Sequence, residues 1–409
     1  MNPMQVHQLL LPEKVVYGPD ALLELGALAA AYGSKALIVT DQVMLQSGVA
    51  DRCVQLLKSA SIDSSVYAGV LSEPTHSYVD EGLAQCAEHT CDLIIAIGGG
   101  SCLDTAKAIA VMSRNDGFIG DYRKKRFANA PLPLIAIPTT AGTGSEVTKV
   151  TVITDTRTDE KMMIAQPELL PRVALVDPLL TLSCPPHVTA ATGIDALSHA
   201  VEAYLSRKAH PVTDALALSA VKLISANLLT AYRDGSDVQA RAQMITGAML
   251  AGAAFSNASV ALVHGMSRPI GALFHVPHGI SNAMLLPAVL EYSQAETVNR
   301  LAEIGRAMRP DLLSSGLSEE AWADTVIRQI KWWCVQMQIP NLQRWGIDQQ
   351  RFEAVLEKMA ADAIVSGSPA NHPKIPDAED IMRLYRICYT YDFHSNTDPN
   401  TNIDEFEFT

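Results

Sequence analysis

Cysteine pairs at the spacing of metal or redox motifs are missing from this 409-residue sequence. Its seven cysteines (Cys53, Cys86, Cys91, Cys102, Cys184, Cys334 and Cys388) are dispersed with no CxxC among them. An odd, scattered set reads as reduced thiols of a cytoplasmic protein and argues against a disulfide framework. Excess positive charge is missing too. Thirty-one Lys and Arg against 44 Asp and Glu leave a net charge of -13, which disfavours nucleic acid or an anionic membrane surface as a partner. The opening stretch, MNPMQVHQLLLPEKVV, lacks a basic segment followed by a long apolar one, so no signal peptide is expected. Residues 242–263 form the longest uncharged run, but Gln243, Thr246, Gly247, Ser256, Asn257 and Ser259 interrupt it. A helix buried in a soluble core is expected there, not a membrane span. Internal repeats and low-complexity segments are also absent.

What is present has the composition of a soluble globular chain, 48 % apolar and 18 % charged, and it is too long for one hydrophobic core, so two domains are expected. In the first half, KALIVTD (35–41), DLIIAIGGG (92–100), LPLIAIPTT (132–140) and RVALVDP (172–178) are short apolar runs bounded by turn residues. Helix-period stretches such as ALLELGALAAAYG and LDTAKAIAVM lie between them. Alternation of fully apolar strands with helices implies a parallel sheet covered on both faces. TKVTVITD (148–155) alternates with period two and reads as one arm of a hairpin. Beyond the paired prolines Pro185 and Pro186 the strand signals cease and helix-compatible runs follow one another. The expected architecture is an α/β domain over residues 1–185 and an all-helical domain over 186–409, with a polar, acidic tail from about residue 392.

Two segments suit a phosphate-bearing ligand. IIAIGGGSCLDTAK sets Gly98, Gly99, Gly100 and Ser101 between a strand and a helix, where the bare backbone approaches a pyrophosphate and the first helical N–H groups favour negative charge. The spacing matches neither GxGxxG nor a P-loop. AIPTTAGTGSEVT (136–148) offers hydroxyls to phosphate, ribose or a nicotinamide amide, although by itself it reads as a loop bonding its own backbone. Asp41 ends a strand, where a carboxylate either accepts from an adenosine ribose and repels a 2′-phosphate or caps a helix. The local sequence leaves both open.

A third constellation suits a metal. In GIDALSHAVEAY, Asp195 and His199 stand at i and i+4, on one helix face. Glu202, three residues on, is expected to support a ligand more than to be one. His264, His275 and His278 follow in the same half, with Arg268 one turn beyond His264 and Pro277 interrupting any helix before His278. A carboxylate with imidazoles suits Fe²⁺ or Zn²⁺.

Taken together, GGGSCLDTAK, PTTAGTGSEVT, ATGIDALSHAVEAY and HG followed by VPHG place the chain in resemblance to the iron-containing, or group III, alcohol dehydrogenases, which include lactaldehyde (propanediol) reductases. The likeness runs from about residue 8 to residue 390. It implies a dehydroquinate synthase-like fold, with an N-terminal dinucleotide-binding domain, a helical C-terminal domain and the site in the cleft between them. By the same likeness the metal ligands are Asp195, His199, His264 and His278, leaving out His275. NAD is held by Gly98, Gly99, Gly100 and Ser101, with Asp104 nearby. Thr139, Thr140, Thr143, Lys161 and Leu180 fall at cofactor-contact positions, and Asp41 marks preference for NAD.

The implied reaction is metal-dependent hydride transfer between a small alcohol and its aldehyde or ketone in a protein that is at least a dimer. Iron and zinc are both compatible with the donor set. Two departures from the family pattern stand out. Glu73 replaces a frequent asparagine. Arg268 replaces a histidine often given an active-site role, which leaves the proton to cofactor ribose hydroxyls, waters or His275. Arg268 either favours an anionic substrate group, such as a carboxylate, sulfonate or phosphonate, or pairs with an acidic residue away from the cavity. The competing classes are a metal-independent reductase of maleylacetate type, a hydroxyacid–oxoacid transhydrogenase and an inactive cofactor-binding scaffold.

Overall fold

The computed structural model describes residues 6–158 and 160–395; most of the expected polar tail, 396–409, lies outside them. In chain order the strands are β1 (Lys14–Tyr17), β2 (Lys35–Val39), β3 (Asp63–Tyr67), β4 (Leu93–Gly98), β5 (Leu134–Pro138), β6 (Val150–Asp155), β7 (Glu160–Ala165) and β8 (Val173–Val176). Six of them form one sheet in the order β1-β8-β5-β4-β2-β3, and every neighbouring pair is parallel. β6 and β7 form a separate antiparallel hairpin.

The four apolar runs become the four central strands because their side chains on both faces are covered. The edges were not legible. β3 is DSSVY and only partly buried, and β1 is a four-residue KVVY with both ends exposed. An edge strand pairs on one side only and needs no continuous apolar face.

The helix Gly100–Met112 is buried over most of its circumference, since the sheet lies on one side and the hairpin on the other. Its Lys107 is fully buried and donates to Thr148 Oγ1 and the Val150 carbonyl, both at 2.8 Å. Glu146 is buried beside it. Burial pushes the Glu146 carboxyl up from 4.5 to about 7, only partly offset by its own backbone N–H and by Lys107. An acid whose pKa is raised on folding holds its proton in the native state after the unfolded chain has lost it. Its contribution is therefore fully present below about pH 4.5 and lost as pH rises through about 7. Glu146→Gln is expected to gain on the wild type by on the order of 3 kcal/mol between pH 4.5 and 7.5. Denaturation midpoints across that range check it, and parallel curves for the two proteins would contradict it.

After β8 the chain is helical. Pro185 caps the helix Pro186–Leu205 and Pro186 occupies its first turn, where the missing N–H has no partner to lose. Pro211–Arg233, Val238–Ala258, Leu262–Phe274, His278–Met308 and Glu319–Gln336 follow. Pro211–Arg233 is long and apolar enough to cross a membrane, but its Ala217, Ala220, Val221, Ile224 and Leu228 are packed into the common core. The run 242–263 is not one helix, as its composition led us to expect. Val238–Ala258 ends, Ser259 takes a positive φ (70°), and the chain turns by 103° into Leu262–Phe274.

The two halves meet where glycine removes side-chain bulk. A Cβ on Gly252 would lie 2.8 Å from Gly144 Cα, so the loop after β5 rests directly on the helix Val238–Ala258. That contact explains Gly144 of AGTGS better than a ligand does, and a Cβ on Gly142 would lie 2.6 Å from Thr192 Cβ.

Candidate active site

Strand order locates the crevice. The chain leaves β2 toward β3 on one side and resumes at β4 on the other, so the order reverses between β2 and β4. In open α/β sheets, ligands bind outside the carboxyl ends of the strands at such a reversal. Asp41 follows β2, the glycine run follows β4, and Thr139, Thr140 and Thr143 follow β5.

Gly98 adopts φ +146°, and a Cβ there would lie 2.6 Å from Cys102 Sγ. Only glycine keeps this turn tight. Gly99 caps the helix Gly100–Met112 without any side-chain cap, which leaves its N-terminal N–H groups facing the crevice beside Gly100 and Ser101. Asp41 takes the cap alternative and keeps its second oxygen beside the glycine turn. Its Oδ1 accepts from Met44 N at 2.9 Å as a helix cap, and its Oδ2 lies 3.5 Å from Cys102 Sγ, against the glycine turn. Asp104 is committed inward. Ser145 Oγ donates to its Oδ1 at 2.6 Å and Val152 N to its Oδ2 at 2.8 Å, so it braces the loop and the hairpin. Leu180 is buried in the 3-10 turn Pro178–Thr181 after β8. Lys161, on β7, is ion-paired with Glu73, a partner that spacing could not show.

Asp195, His199, His264 and His278 converge. One ligand atom from each lies within 4.8 Å of all the others. Three helices supply them: Pro186–Leu205 gives Asp195 and His199, Leu262–Phe274 gives His264, and His278–Met308 begins at His278. Asp195 Oδ1 is 3.6 Å from His264 Nε2, 3.7 Å from His278 Nε2 and 4.0 Å from His199 Nδ1. Burial would raise the Asp195 carboxyl, but the surrounding imidazoles hold it well below the usual carboxylate range. Burial lowers His199 to about 4 and His278 to about 3, so both rings are neutral near pH 7 with a lone pair to donate. His199 Nδ1 is buried with no hydrogen-bond partner among the described residues. An unpaired buried nitrogen facing one carboxylate and two more imidazoles fits a divalent cation.

Glu202 takes the supporting place expected for it. Its Oε2 lies 2.5 Å from His264 Nδ1 and its Oε1 accepts from Val263 N at 2.6 Å. Since an ionised carboxylate only accepts, His264 donates through Nδ1 and turns its Nε2 lone pair to the cluster. Asn282 was missed by the sequence reasoning, although it stands at i+4 from His278. It is fully buried; its Nδ2 donates to Asp195 Oδ1 at 2.7 Å and lies 3.1 Å from His264 Nε2 and 3.3 Å from His278 Nε2.

The remaining two candidates separate. His275 ends the helix Leu262–Phe274 in a left-handed conformation (φ 54°), exposed. Arg268 lies along the same helix from His264, donating from Nη1 to Ser368 Oγ at 2.9 Å and from Nη2 to Met163 Sδ at 3.2 Å. A surface groove of about 400 Å³, lined in part by Glu13, Phe127, Glu168 and Arg172, contains none of these residues. It lies at the amino ends of β1, β5 and β8, the wrong end of the sheet for a ligand.

A reversal-point crevice beside a buried carboxylate–imidazole cluster defines a cofactor-dependent, metal-assisted enzyme. Two family models cover the chain: iron-containing alcohol dehydrogenase over residues 12–178, and the C-terminal part of the Fe-containing alcohol dehydrogenase family over 189–389. The chain belongs to the iron-containing alcohol dehydrogenase family. It is 37 % identical over 385 residues to a 1,3-propanediol dehydrogenase of Klebsiella pneumoniae, covering 93 % of this chain and 98 % of that one. The crystal structure of a 1,3-propanediol oxidoreductase superposes with a TM-score of 0.89 at 36 % identity, over 94 % of this chain and all of the other. A sulfoacetaldehyde reductase from Bifidobacterium kashiwanohense, solved with NAD⁺, superposes with a TM-score of 0.82 at 27 % identity, over 95 % and 100 %.

Proposed function

We propose that this protein is an NAD(H)-linked, divalent-metal-dependent oxidoreductase that interconverts a small alcohol and its aldehyde or ketone. The observation that carries it is the convergence of Asp195, His199, His264 and His278, set in the same family fold as the glycine turn. Asp195 contributes the one anionic donor, burial keeps His199 and His278 neutral near pH 7, and His264 is bonded to Glu202 through Nδ1, a set suited to Fe²⁺ or Zn²⁺. When bound, such an ion supplies Lewis acidity toward the alcohol or carbonyl oxygen, while the nicotinamide carries the hydride.

The chain's own residues do the rest. Gly98, Gly99, Gly100 and Ser101 hold the pyrophosphate, with Asp41 on the adenosine ribose. Thr139, Thr140, Thr143, Lys161 and Leu180 line the cofactor, and Asp104 fixes the loop from behind. Glu202 holds His264 in one tautomer and orientation. Residues 1–185 and 186–409 act as two domains, and their junction orders the reactants, removing much of the entropic barrier. With no histidine at 268, the exposed His275 is the chain's own candidate to take up the proton.

Cytoplasmic residence and assembly into at least a dimer belong to the same proposal. The free thiols support the first, and light scattering of the purified protein tests the second. The activity is tested by following NADH with a series of short alcohols and aldehydes, before and after chelation and after return of Fe²⁺ or Zn²⁺. Turnover that survives complete metal removal would sink the proposal. Carbonyl reduction coupled to oxidation of a hydroxy acid, with no exchange of NADH, would instead indicate a transhydrogenase.

A further inference from the structure

Arg268 is a part-buried cation without a counter-ion among the described residues. Its guanidinium has five N–H donors, of which the described structure engages two groups, one on the Ser368 hydroxyl and one on the Met163 thioether. Neither acceptor is charged. Glu202 is the one acidic residue whose charge it feels appreciably, and both Glu202 oxygens are already taken by Val263 N and His264. Taking a charge out of water is expensive unless it is paired. A site that keeps such a group has its partner elsewhere, and rule-breaking of this kind concentrates at functional sites.

The position points to that partner. Arg268 is one helical turn, roughly 6 Å along the axis, from His264. Helical side chains lean back toward the N-terminus, so Arg268 covers the turn that carries His264. Its Met163 contact places it against β7. Two residues earlier on the same face of β7 is Lys161, whose Nζ would lie 2.7 Å from a Cβ built on Gly271 and whose charge reaches His278. The guanidinium therefore lies against the hairpin, on the helix that carries His264, while the neighbouring Lys161 is already neutralised by Glu73. A planar fork with unused donors matches an oxyanion bidentately.

We propose that Arg268, held by Ser368, is the specificity-determining residue of this site and receives an oxyanion group at the far end of the aldehyde or alcohol substrate. The substrate class is a short aldehyde or hydroxy compound ending in a carboxylate, sulfonate or phosphonate. The inference rests on the function proposed above, with which it shares the site.

The test compares 4-oxobutanoate and its sulfonate and phosphonate counterparts with butanal, using metal-loaded enzyme and NADH. At least one anionic aldehyde is expected to exceed butanal tenfold or more in kcat/KM, and the best of the three identifies the anion. Arg268→Met should lose about 100-fold on that substrate, chiefly through KM, and under threefold on butanal. Arg268→Lys should recover part of the loss. Because Arg268→Met removes a part-buried charge that has no counter-ion among the described residues, its thermal midpoint should equal or exceed that of the wild type, which separates a binding defect from misfolding. Equal losses on charged and neutral aldehydes, or a wild type that prefers butanal to all three anions, would overturn the proposal. If no aldehyde turns over, the dehydrogenase function fails. The anion site is then read from calorimetry of 4-hydroxybutanoate against 1-butanol. Carboxylate binding that Arg268→Met abolishes supports it, and no difference between the two proteins refutes it.

Discussion

Asp195→Ala is expected to leave the protein folded but unable to retain its metal, with kcat/KM reduced by about 10³-fold or more. Lewis-acid stabilisation of a developing alkoxide is worth several kcal/mol, and each 1.36 kcal/mol is a factor of ten. Asp195 is the one carboxylate of the cluster, and its Oδ1 faces all three imidazoles at 3.6 to 4.0 Å. Without it the site offers three imidazoles and no carboxylate to hold a dication. Glu202→Gln should be milder, weakening metal affinity 10- to 100-fold by freeing the His264 ring. Metal analysis by mass spectrometry after gel filtration, beside NADH-linked rates, distinguishes the two variants. An Asp195→Ala protein that keeps stoichiometric metal and wild-type turnover would remove this cluster from the mechanism.

The second large effect concerns Asp41. Replacing it by serine retains a side-chain oxygen for Met44 N, so the helix Gln42–Gln46 keeps its cap, while the charge beside the glycine turn is gone. The ratio of kcat/KM for NAD over NADP should then fall by about 100-fold, mostly through better use of NADP. Like charges brought together cost several kcal/mol, of which 1.4 kcal/mol is tenfold. Steady-state kinetics with both cofactors decides it. If the ratio is unchanged in Asp41→Ser, the carboxylate is a helix cap and nothing more.

Much of the fold was legible because central parallel strands must be apolar on both faces. KALIV, LIIAIG, LIAIP and VALV each became a central strand of the sheet. β1 and β3 escaped detection for the reciprocal reason, since an edge strand pairs on one side only and needs no continuous apolar face. The glycines of GGGS were legible as a turn that tolerates no Cβ, and Gly98 at φ +146° is such a turn. Those of AGTGS look alike in sequence, yet Gly144 answers to a helix more than a hundred residues away.

The candidate site divides in the same way. Helical periodicity puts Asp195 and His199 on one face, and the sequence by itself carries that pair. It also supplies the ligand residue types, the texture change at Pro185 and Pro186, and the family. Only the tertiary structure decided that His264 and His278 come from two further helices to meet them, after a 103° turn that composition did not reveal. It alone set Asn282 among the donors, paired Lys161 with Glu73, turned Asp104 inward and left Arg268 part-buried with no carboxylate beside it among the described residues. The reason is physical. Backbone periodicity is a local property, written in neighbouring residues. Whether a buried charge has a counter-ion depends on which distant segments the packed core brings within a few ångströms of it.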